Sequence, residues 1–495
     1  MSNSTTPMSD SAPSNQQNIQ EPPAPRTFAV ATLGCKVNQA DSDAISEQFR
    51  AAGFEQRDFS GLADVYVVNT CTVTHLGDRS SRQMISQARR RAPDALLVVT
   101  GCYAEIAPQA VAALPGVDLV IGNAGKDALV ERVLDQAAAS AAPATAPETT
   151  PLTPAAPARA RRQRPLLDVL NMHTGSDAML DAEAVAENAP VTDLAPLAPT
   201  PFSRTRVQMK VQDGCDNRCT YCIVPTVRGA SRSRSIASIV EHTRRKAAAG
   251  YQEIVLTGIH LGDYHAPEGG DLGDLMAALL EKTEIRRIRV SSLEPEDFNL
   301  DWLAIWRNPR MCRHLHLPLQ SGSDQILRKM ARRYLSARYR TIIETARRLV
   351  PEIAITTDMI AGFPGETDED AELSYRFAQE MRFAKIHVFR FSPRQGTAAA
   401  RMRNQIPDKI KKARSEQLLG LQAADGRAFR QQFVGRTVEV LWEEPRPTGW
   451  EGLTDNYLRV ELAPDSAAGA GDLRNTFSQV RLTSITEDGL VGVLA

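Results

Sequence analysis

Three apolar runs near the start of the chain end in the same way. RTFAVATLGC closes at Cys35, DVYVVNTC at Cys71 and ALLVVTGC at Cys102. Each is rich in β-branched residues and lacks a polar alternation, as in strands buried on both faces of a parallel sheet. Between them the apolar period lengthens to that of a helix, over Asp41 to Gly53, with an acidic, Ser-containing start and a Gly stop, and over Gly77 to Ala92. Strand, helix, strand with cysteines 36 and 31 residues apart predicts an open parallel α/β sheet, whose ligands gather at the carboxyl edge. Three cysteines distant in the chain then meet at one edge, and their recurrence in three successive units sets them apart from merely buried thiols. LVIGNAGKDALVERVLDQA adds a fourth strand and a closing helix; Gly122 and Gly125 fit neither nucleotide-loop spacing and read as a turn.

A second series begins with RVQMKVQ and continues through EIVLTG, RRIRVSS, HLHLPL, IAITTDMIA and KIHVFRFS, with helical patterns between, such as Ser235 to Gly250 and Ser336 to Val350. Six strands alternating with helices predict a parallel partial (β/α)6 barrel, open on one side, with its active site at the strand carboxyl ends. Those ends carry polar, Gly-bearing loops: TGIHLGDY after Thr257, SSLEP after Ser291, LPLQSGS after Leu317 and DMIAGFPGET after Asp358. Glycines such as Gly258 and Gly362 let backbone amides approach a ligand, and Gln320, Ser321 and Glu366 can fix its charged parts. From about Gln432, strand-like runs alternate with turns, the pattern of a small antiparallel β-barrel.

The chain is therefore an α/β multidomain protein, and 495 residues suit about three domains. The boundaries fall at 1–26, a Ser/Pro/Gln-rich tail expected to be disordered; 27–136, the N-terminal sheet; 137–203, an Ala/Pro-rich linker or insertion; 204–430, the partial barrel; and 431–495, the small barrel. Within the linker QRPLLDVLNM can still pair onto a domain as a strand or short helix. Net charge is −1, yet residues 204–430 hold 38 Lys and Arg against 27 Asp and Glu, whereas 431–495 hold 5 against 10. A basic middle suits a polyanionic partner. Seven cysteines are too few for a disulfide scaffold, the start lacks a signal-peptide pattern, and no apolar run is long enough to span a membrane. A reducing cytoplasm and no membrane partner are the expectations.

GCDNRCTYC, residues 214–222, gives the chain its chemistry. Cys215, Cys219 and Cys222 form a C-x3-C-x2-C array without a neighbouring His or fourth Cys. A structural zinc site takes four ligands, and a redox C-x-x-C leaves Cys215 without a role. Three thiolates on a short loop suit three corners of an iron-sulfur cube, leaving one iron open to a substrate.

LGCKVNQ, VVNTCTVT, TGCYAE, CDNRCTYCIVPTVRGASRSR, TGIHLGDY, SSLEPED, HLHLPLQSGSDQIL, TDMIAGFPGET and FRFSPRQGT, in that order, resemble the methylthiotransferase family of radical S-adenosylmethionine (SAM) enzymes. The resemblance runs from about Thr27 to the end, the linker excepted. LGCKVNQ and TGIHLG are most similar to the tRNA branch acting on N6-threonylcarbamoyladenosine next to the anticodon; related branches act on isopentenyladenosine in tRNA or on an aspartate of a ribosomal protein.

The resemblance implies that Cys215, Cys219 and Cys222 hold a 4Fe-4S cluster that cleaves SAM, and that Cys35, Cys71 and Cys102 hold an auxiliary 4Fe-4S cluster for sulfur delivery. Tyr221 before the third Cys fits it, and the loops bearing Gly258, Gln320, Ser321, Gly362 and Glu366 would cradle SAM. Carbon 2 of adenine is too weakly acidic for a side-chain base, so the resemblance implies a 5′-deoxyadenosyl radical supplied by the cofactor, with the methyl group from a second SAM. The implied partners are the tRNA anticodon stem-loop and an electron donor such as a flavodoxin or ferredoxin, with the sulfur donor left open. The last unit resembles the RNA-binding TRAM domain, but its negative charge opposes phosphate binding, so Arg232, Arg234, Arg332 and Arg333 are the better backbone contacts. Cys312 fits no cluster motif and reads as a structural thiol. From another class, a non-catalytic iron-sulfur RNA-binding or electron-transfer protein would not need the four Gly-bearing loops.

Overall fold

The computed structural model describes residues 26–72, 75–141, 166–168, 204–447, 449–467 and 471–495. Nearly all of the expected tail and most of the expected linker lie outside these residues. Strands β1 (Thr27–Thr32), β2 (Glu55–Gln56), β3 (Val65–Thr70), β4 (Leu96–Gly101), β5 (Leu119–Ile121) and β6 (Leu166–Asp168) form one sheet in the order β2-β1-β3-β4-β5-β6, every pair parallel. LLD of the QRPLLDVLNM segment is thus a strand that the linker contributes to the sheet's edge. One face packs Phe28, Val67 and Val98 on the helices Lys36–Ala51 and Leu129–Ala141; the other packs Tyr66, Val68 and Val99 on the helix His75–Arg91. Cover on both faces is why these strands read as unbroken apolar runs.

The first helix starts at Lys36, not at Asp41, with Cys35 as its N-cap. Asp41 and Ser42, which as polar residues look like a helix start, are buried inside it, as is Asn38, because other elements satisfy them. The Asn69 amide donates to Ser42 Oγ at 2.9 Å, and Lys126 Nζ meets Asp41 at 2.7 Å.

In the middle unit all six expected strands form: β7 (Arg206–Lys210), then, after the short antiparallel pair β8 (Gln212–Asp213) and β9 (Arg232–Ser233), β10 (Glu253–Thr257), β11 (Arg287–Val290), β12 (His314–His316), β13 (Ala354–Ala361) and β14 (Lys385–Arg390). Two parallel sheets, β7-β10-β11 and β12-β13-β14, join through a bridge between Ser292 and His316, where Leu293 N donates to His316 O at 2.9 Å. The result is a six-stranded partial barrel. Its strands alternate: Val207, Met209, Ile254, Leu256, Ile288, Val290, Leu315 and Ile386 share one apolar core with the surrounding helices. The intervening positions, Arg206, Glu253, Arg287, Arg289, His314, His316, Asp358 and His387, therefore face the lumen, since successive side chains of a strand point to opposite faces. Side-chain caps such as Ser235 Oγ on Ser238 N, and the capping boxes Asp271/Asp274 and Thr367/Asp370, fix the helices, each cap contributing about 1 kcal/mol.

The last unit is a closed barrel, β15 (Thr437–Arg446), β16 (Gly449–Thr454), β17 (Arg459–Leu462), β18 (Phe477–Ile485) and β19 (Leu490–Leu494), in the order β15-β16-β17-β19-β18. Its pairings are antiparallel except β17 with β19, which run parallel. Its acidic surplus has a structural use. Glu443 meets Arg206 at 2.5 Å, Asp455 meets Arg313 at 2.6 Å, and Glu439 pairs with Arg286 and Arg287. The carboxylates dock this unit onto arginines of the partial barrel.

Candidate active site

Because β1, β3 and β4 are neighbours and parallel, the loops after them bring Cys35, Cys71 and Cys102 to one sheet edge. Gly34 has φ +95°, and a Cβ there would stand 2.7 Å from Cys71 Sγ, so only glycine lets the first loop lie over the second thiol. Asn38 ties the two loops together, donating to Leu33 O at 2.8 Å and Thr70 O at 2.9 Å. Burial pushes the Cys102 thiol up, against the pull of Arg228 and Lys126.

The second set sits on the loop after β8. Gly214, at φ +75°, would place a Cβ 1.8 Å from Ala230 O, so the turn into Cys215 excludes any side chain. Cys222 N donates to Cys219 O at 3.0 Å, and Thr220 is pinned through its N and Oγ1 to the carbonyls of Met330 and Lys329. Tyr221 packs edge-on against Phe363, ring centroids 6.5 Å apart, which braces this loop on the GFPGET loop. Two thiols have cationic neighbours. His260 Nδ1 lies 3.6 Å from Cys215 Sγ, and Arg332 Nη1 donates to Cys219 Sγ at 3.4 Å. Burial works against a charged His260, but its hydrogen bonds to Asp297 and Cys215 raise it to about 10, so both ring nitrogens are donors. Burial pushes the Cys222 thiol up to about 12.

The two edges face each other directly. Cys102 packs with Ile223 and Val227, just past Cys222, and Asn123 Nδ2 donates to Val227 O at 2.7 Å. Arg228, fully buried, spans the seam, reaching Asp213 at 2.9 Å, Asp41 at 3.3 Å and Asn38 Oδ1 at 2.5 Å. Arg394 closes the other side on Asp78 at 3.0 Å and on Thr72.

The remaining expected ligand-binding residues lie on the loops after β10, β12 and β13. A Cβ on Gly258 would lie 2.9 Å from Gln212 Oε1, which accepts from His260 N at 2.8 Å. Gln320 takes φ +62°, a left-handed conformation uncommon for a side-chain-bearing residue. Ser321 is buried, its hydroxyl 3.0 Å from Ser374 Oγ. Gly362 N and Phe363 N donate to the Glu366 carboxylate, which also meets Arg414 at 2.7 Å. Glu366 thus holds the GFPGET loop in shape.

Sequence reasoning missed His260, Arg228 and Gln212, which carry no spacing signal, and misassigned two arginines. Arg332 is buried, paired with Glu294 and Glu296 beside the cysteine loop, and is not a phosphate contact. Arg234 is turned onto Lys210 O and Ser238 Oγ. Arg232 and Arg333 are exposed, the latter paired with Asp297.

The donor set fits iron-sulfur cubes. All six residues of the two cysteine triads are free thiols, and at two of them, Cys215 and Cys219, a nitrogen stands at the sulfur, His260 Nδ1 and Arg332 Nη1, the outer partners that a cluster-bound thiolate takes.

Residues 27–122 match the Uncharacterized protein family UPF0004, and residues 209–378 match the Radical SAM superfamily. The chain is 37% identical over 447 residues to Threonylcarbamoyladenosine tRNA methylthiotransferase MtaB of Bacillus subtilis, covering 88% of this chain and 90% of that protein. Identity to the protein of the same name from Thermotoga maritima is 32%, over 95% and 97% of the two chains. Identity to tRNA-2-methylthio-N(6)-dimethylallyladenosine synthase of Akkermansia muciniphila is 31%, over 88% and 93%. Among solved structures, the radical S-adenosylmethionine methyltransferase TsrM from Kitasatospora setae is similar in fold, with TM-score 0.51 and 16% identity over 76% of this chain and 74% of that one. With such identity along nearly its whole length, the chain belongs to the methylthiotransferase family of radical SAM enzymes, transferases whose cofactors are SAM and 4Fe-4S clusters.

Proposed function

We propose that this protein adds a methylthio group to carbon 2 of N6-threonylcarbamoyladenosine next to the anticodon of tRNA. The supporting observation is the seam itself, two cysteine triads on facing loops with Cys102 packed against Ile223 and Val227. Relatives named for the threonylcarbamoyl nucleoside favour that substrate over dimethylallyladenosine.

Cys215, Cys219 and Cys222 would hold the cluster at which SAM is cleaved, and Cys35, Cys71 and Cys102 the auxiliary cluster. When bound, these groups supply the radical that abstracts hydrogen from carbon 2 and the sulfur that replaces it. The chain's own residues orient and enclose. His260 and Arg332 donate to the thiolate sulfurs, which offsets negative charge in a half-buried place. Tyr221 and Glu366 fix the loops that would meet SAM, while Gly258 and Gly362 let Gln212 and Lys411 pack directly on those loops. Exposed Arg232 and Arg333 remain candidates for the RNA backbone. An unpaired anticodon-loop base leaves its stack cheaply, and the polar lumen suits it. A flavodoxin or ferredoxin would supply electrons in a cytoplasmic setting. Among the described residues no helix is long and apolar enough to cross a membrane.

Mass spectrometry of tRNA nucleosides tests the reading. Cells lacking the protein should lose the methylthio form and accumulate N6-threonylcarbamoyladenosine; unchanged tRNA would overturn it. Anaerobic reconstitution should give about eight irons per chain, falling to about four in Cys71→Ala, as expected for two four-iron cubes.

A further inference from the structure

Lys36 follows Cys35 directly, yet its ammonium makes no hydrogen bond or ion pair with any described residue. Its electrostatic neighbours come from the other two units: Tyr457 of the small barrel, and Arg206, Arg289 and Asp358 of the lumen. His314 and His387 feel its charge too. Lys36 therefore lies within electrostatic reach of the inside of the partial barrel. The other lumen cations are occupied: Arg289 holds Glu253 at 2.7 Å, and Arg206 holds Glu443 at 2.5 Å. Lys36 alone among these three has no counter-ion within the described residues.

The same lumen holds the His316, Asp358 and His387 group, from β12, β13 and β14, and Lys36 acts electrostatically on Asp358 and His387. His316 Nε2 is 3.4 Å from Asp358 Oδ2, and the two imidazole centroids are 5.7 Å apart. Two histidines and a carboxylate can bind a divalent ion. Here Lys36 and Lys385 both act on His387, and that positive field opposes a second cation. A ligand with an anionic group for Lys36, and with N–H or O–H groups for Asp358, complements the wall as it stands.

We infer that Lys36, with the wall formed by His316, Asp358 and His387, is the subsite that recognises an adenosine whose N6 substituent ends in a carboxylate. The inference rests on the proposed tRNA substrate and deepens it. In adenine, carbon 2 and the carbon bearing N6 both flank N1, so a base with carbon 2 toward the thiols carries its N6 substituent along the same edge. Lys36 and Cys35 are consecutive, so the cation that reads the substituent and a thiol that would hold the auxiliary cluster are in fixed register. Threonylcarbamoyl has the required parts, a carboxylate, a hydroxyl and urea N–H groups; dimethylallyl has none of them.

The test uses the full chain, reconstituted anaerobically, and three anticodon stem-loops differing only at N6: threonylcarbamoyl, its neutral carboxamide and dimethylallyl. The wild type should favour the acid over the carboxamide by on the order of 10- to 100-fold in kcat/KM, the value of a charge-assisted hydrogen bond. Lys36→Met should abolish the preference for the acid over the carboxamide, and Lys36→Arg should restore part of it. Equal use of acid and carboxamide by the wild type overturns the inference while the proposed function stands. A preference that survives in Lys36→Met overturns it as well, and so does one non-iron divalent ion per chain that His387→Gln removes. Methylthiolation of the dimethylallyl stem-loop alone overturns the proposed substrate and this subsite together. If Lys36→Met loses iron, the wild-type comparison of acid with carboxamide decides without a variant.

Discussion

His260 holds Cys215 and Asp297 at once, its Nδ1 3.6 Å from the thiol sulfur and its Nε2 2.6 Å from Asp297 Oδ2. The carboxylate orients the ring, and the protonated ring donates a hydrogen bond to the sulfur. Donors to a thiolate stabilise the electron-rich state of the metal it binds. His260→Leu should therefore shift the midpoint potential of that cluster to more negative values and slow SAM cleavage by about 10- to 100-fold, with iron content retained. His260→Gln, which keeps a donor, should lie between. Redox titration followed by electron paramagnetic resonance reads this directly, and an unmoved potential would count against the role.

Gly214 and Gly53 both have positive φ, but their surroundings differ. A methyl on Gly214 meets Ala230 O at 1.8 Å, whereas one on Gly53 has open space. Gly53→Ala should cost only the left-handed backbone penalty of about 1 to 2 kcal/mol and leave iron untouched. Gly214→Ala should displace the cysteine loop and lower iron from about eight to about four per chain, with the auxiliary site still loaded. Iron assay and circular dichroism on the two variants separate the outcomes.

Arg228 is the centre of a buried network that joins the N-terminal unit to the partial barrel. Removing one member of such a network leaves its partners charged and unmatched, which typically costs 3 to 5 kcal/mol. Arg228→Met leaves Asp213 with Lys210 alone, at 3.3 Å, and takes one of three cations from Asp41, where Lys210 and Lys126 remain at 2.5 and 2.7 Å. The expected loss is about 3 kcal/mol in denaturant unfolding, with faster proteolysis between the units. A loss under about 1 kcal/mol would mean that the lysines alone hold the seam.

His242 gives the fold an acid sensitivity of its own. Burial, then Arg234, Lys246 and Arg245, hold its imidazole down at about 3, against 6.5 for the ordinary group. The unfolded chain therefore takes up a proton at pH values where the folded one does not. Stability from this group is complete above pH 6.5 and is lost as pH falls from there toward 3. In the metal-free chain, His242→Leu should flatten the dependence of unfolding free energy between pH 6 and 4 by up to about 1.4 kcal/mol per pH unit. Parallel pH profiles for the two proteins would sink the assignment.

Much of the site was legible because its chemistry is local in sequence. A cysteine after each strand, and glycine where a loop must approach a thiol, are spelled out residue by residue. The six barrel strands were legible too. RVQMKVQ and HLHLPL even carry the alternation that makes the lumen polar, with Val207 and Leu315 outward and Arg206 and His316 inward. What was not legible depends on pairing across distance. Asp41 looks like a helix start until Lys126, Lys210 and Arg228 converge on it. Arg332 looks like a surface cation until Glu294 and Cys219 claim it. The acidic last unit looks unsuited to its place until Glu443 and Asp455 meet their arginines. Local patterns name an element, but the burial of a charge is settled only by partners tens to hundreds of residues away.

The sixth strand of the N-terminal sheet comes from the segment between domains, Leu166–Asp168 lying beside Leu119–Ile121. During synthesis the edge of β5 accordingly waits, unpaired, until some 45 further residues have left the ribosome. A chain stopped short of that point would present an open seam to its neighbours, the template on which strands of separate molecules add to one another. Three residues in a compositionally plain stretch thus cover all three of β5, and an edge only three residues long offers little for another strand to join.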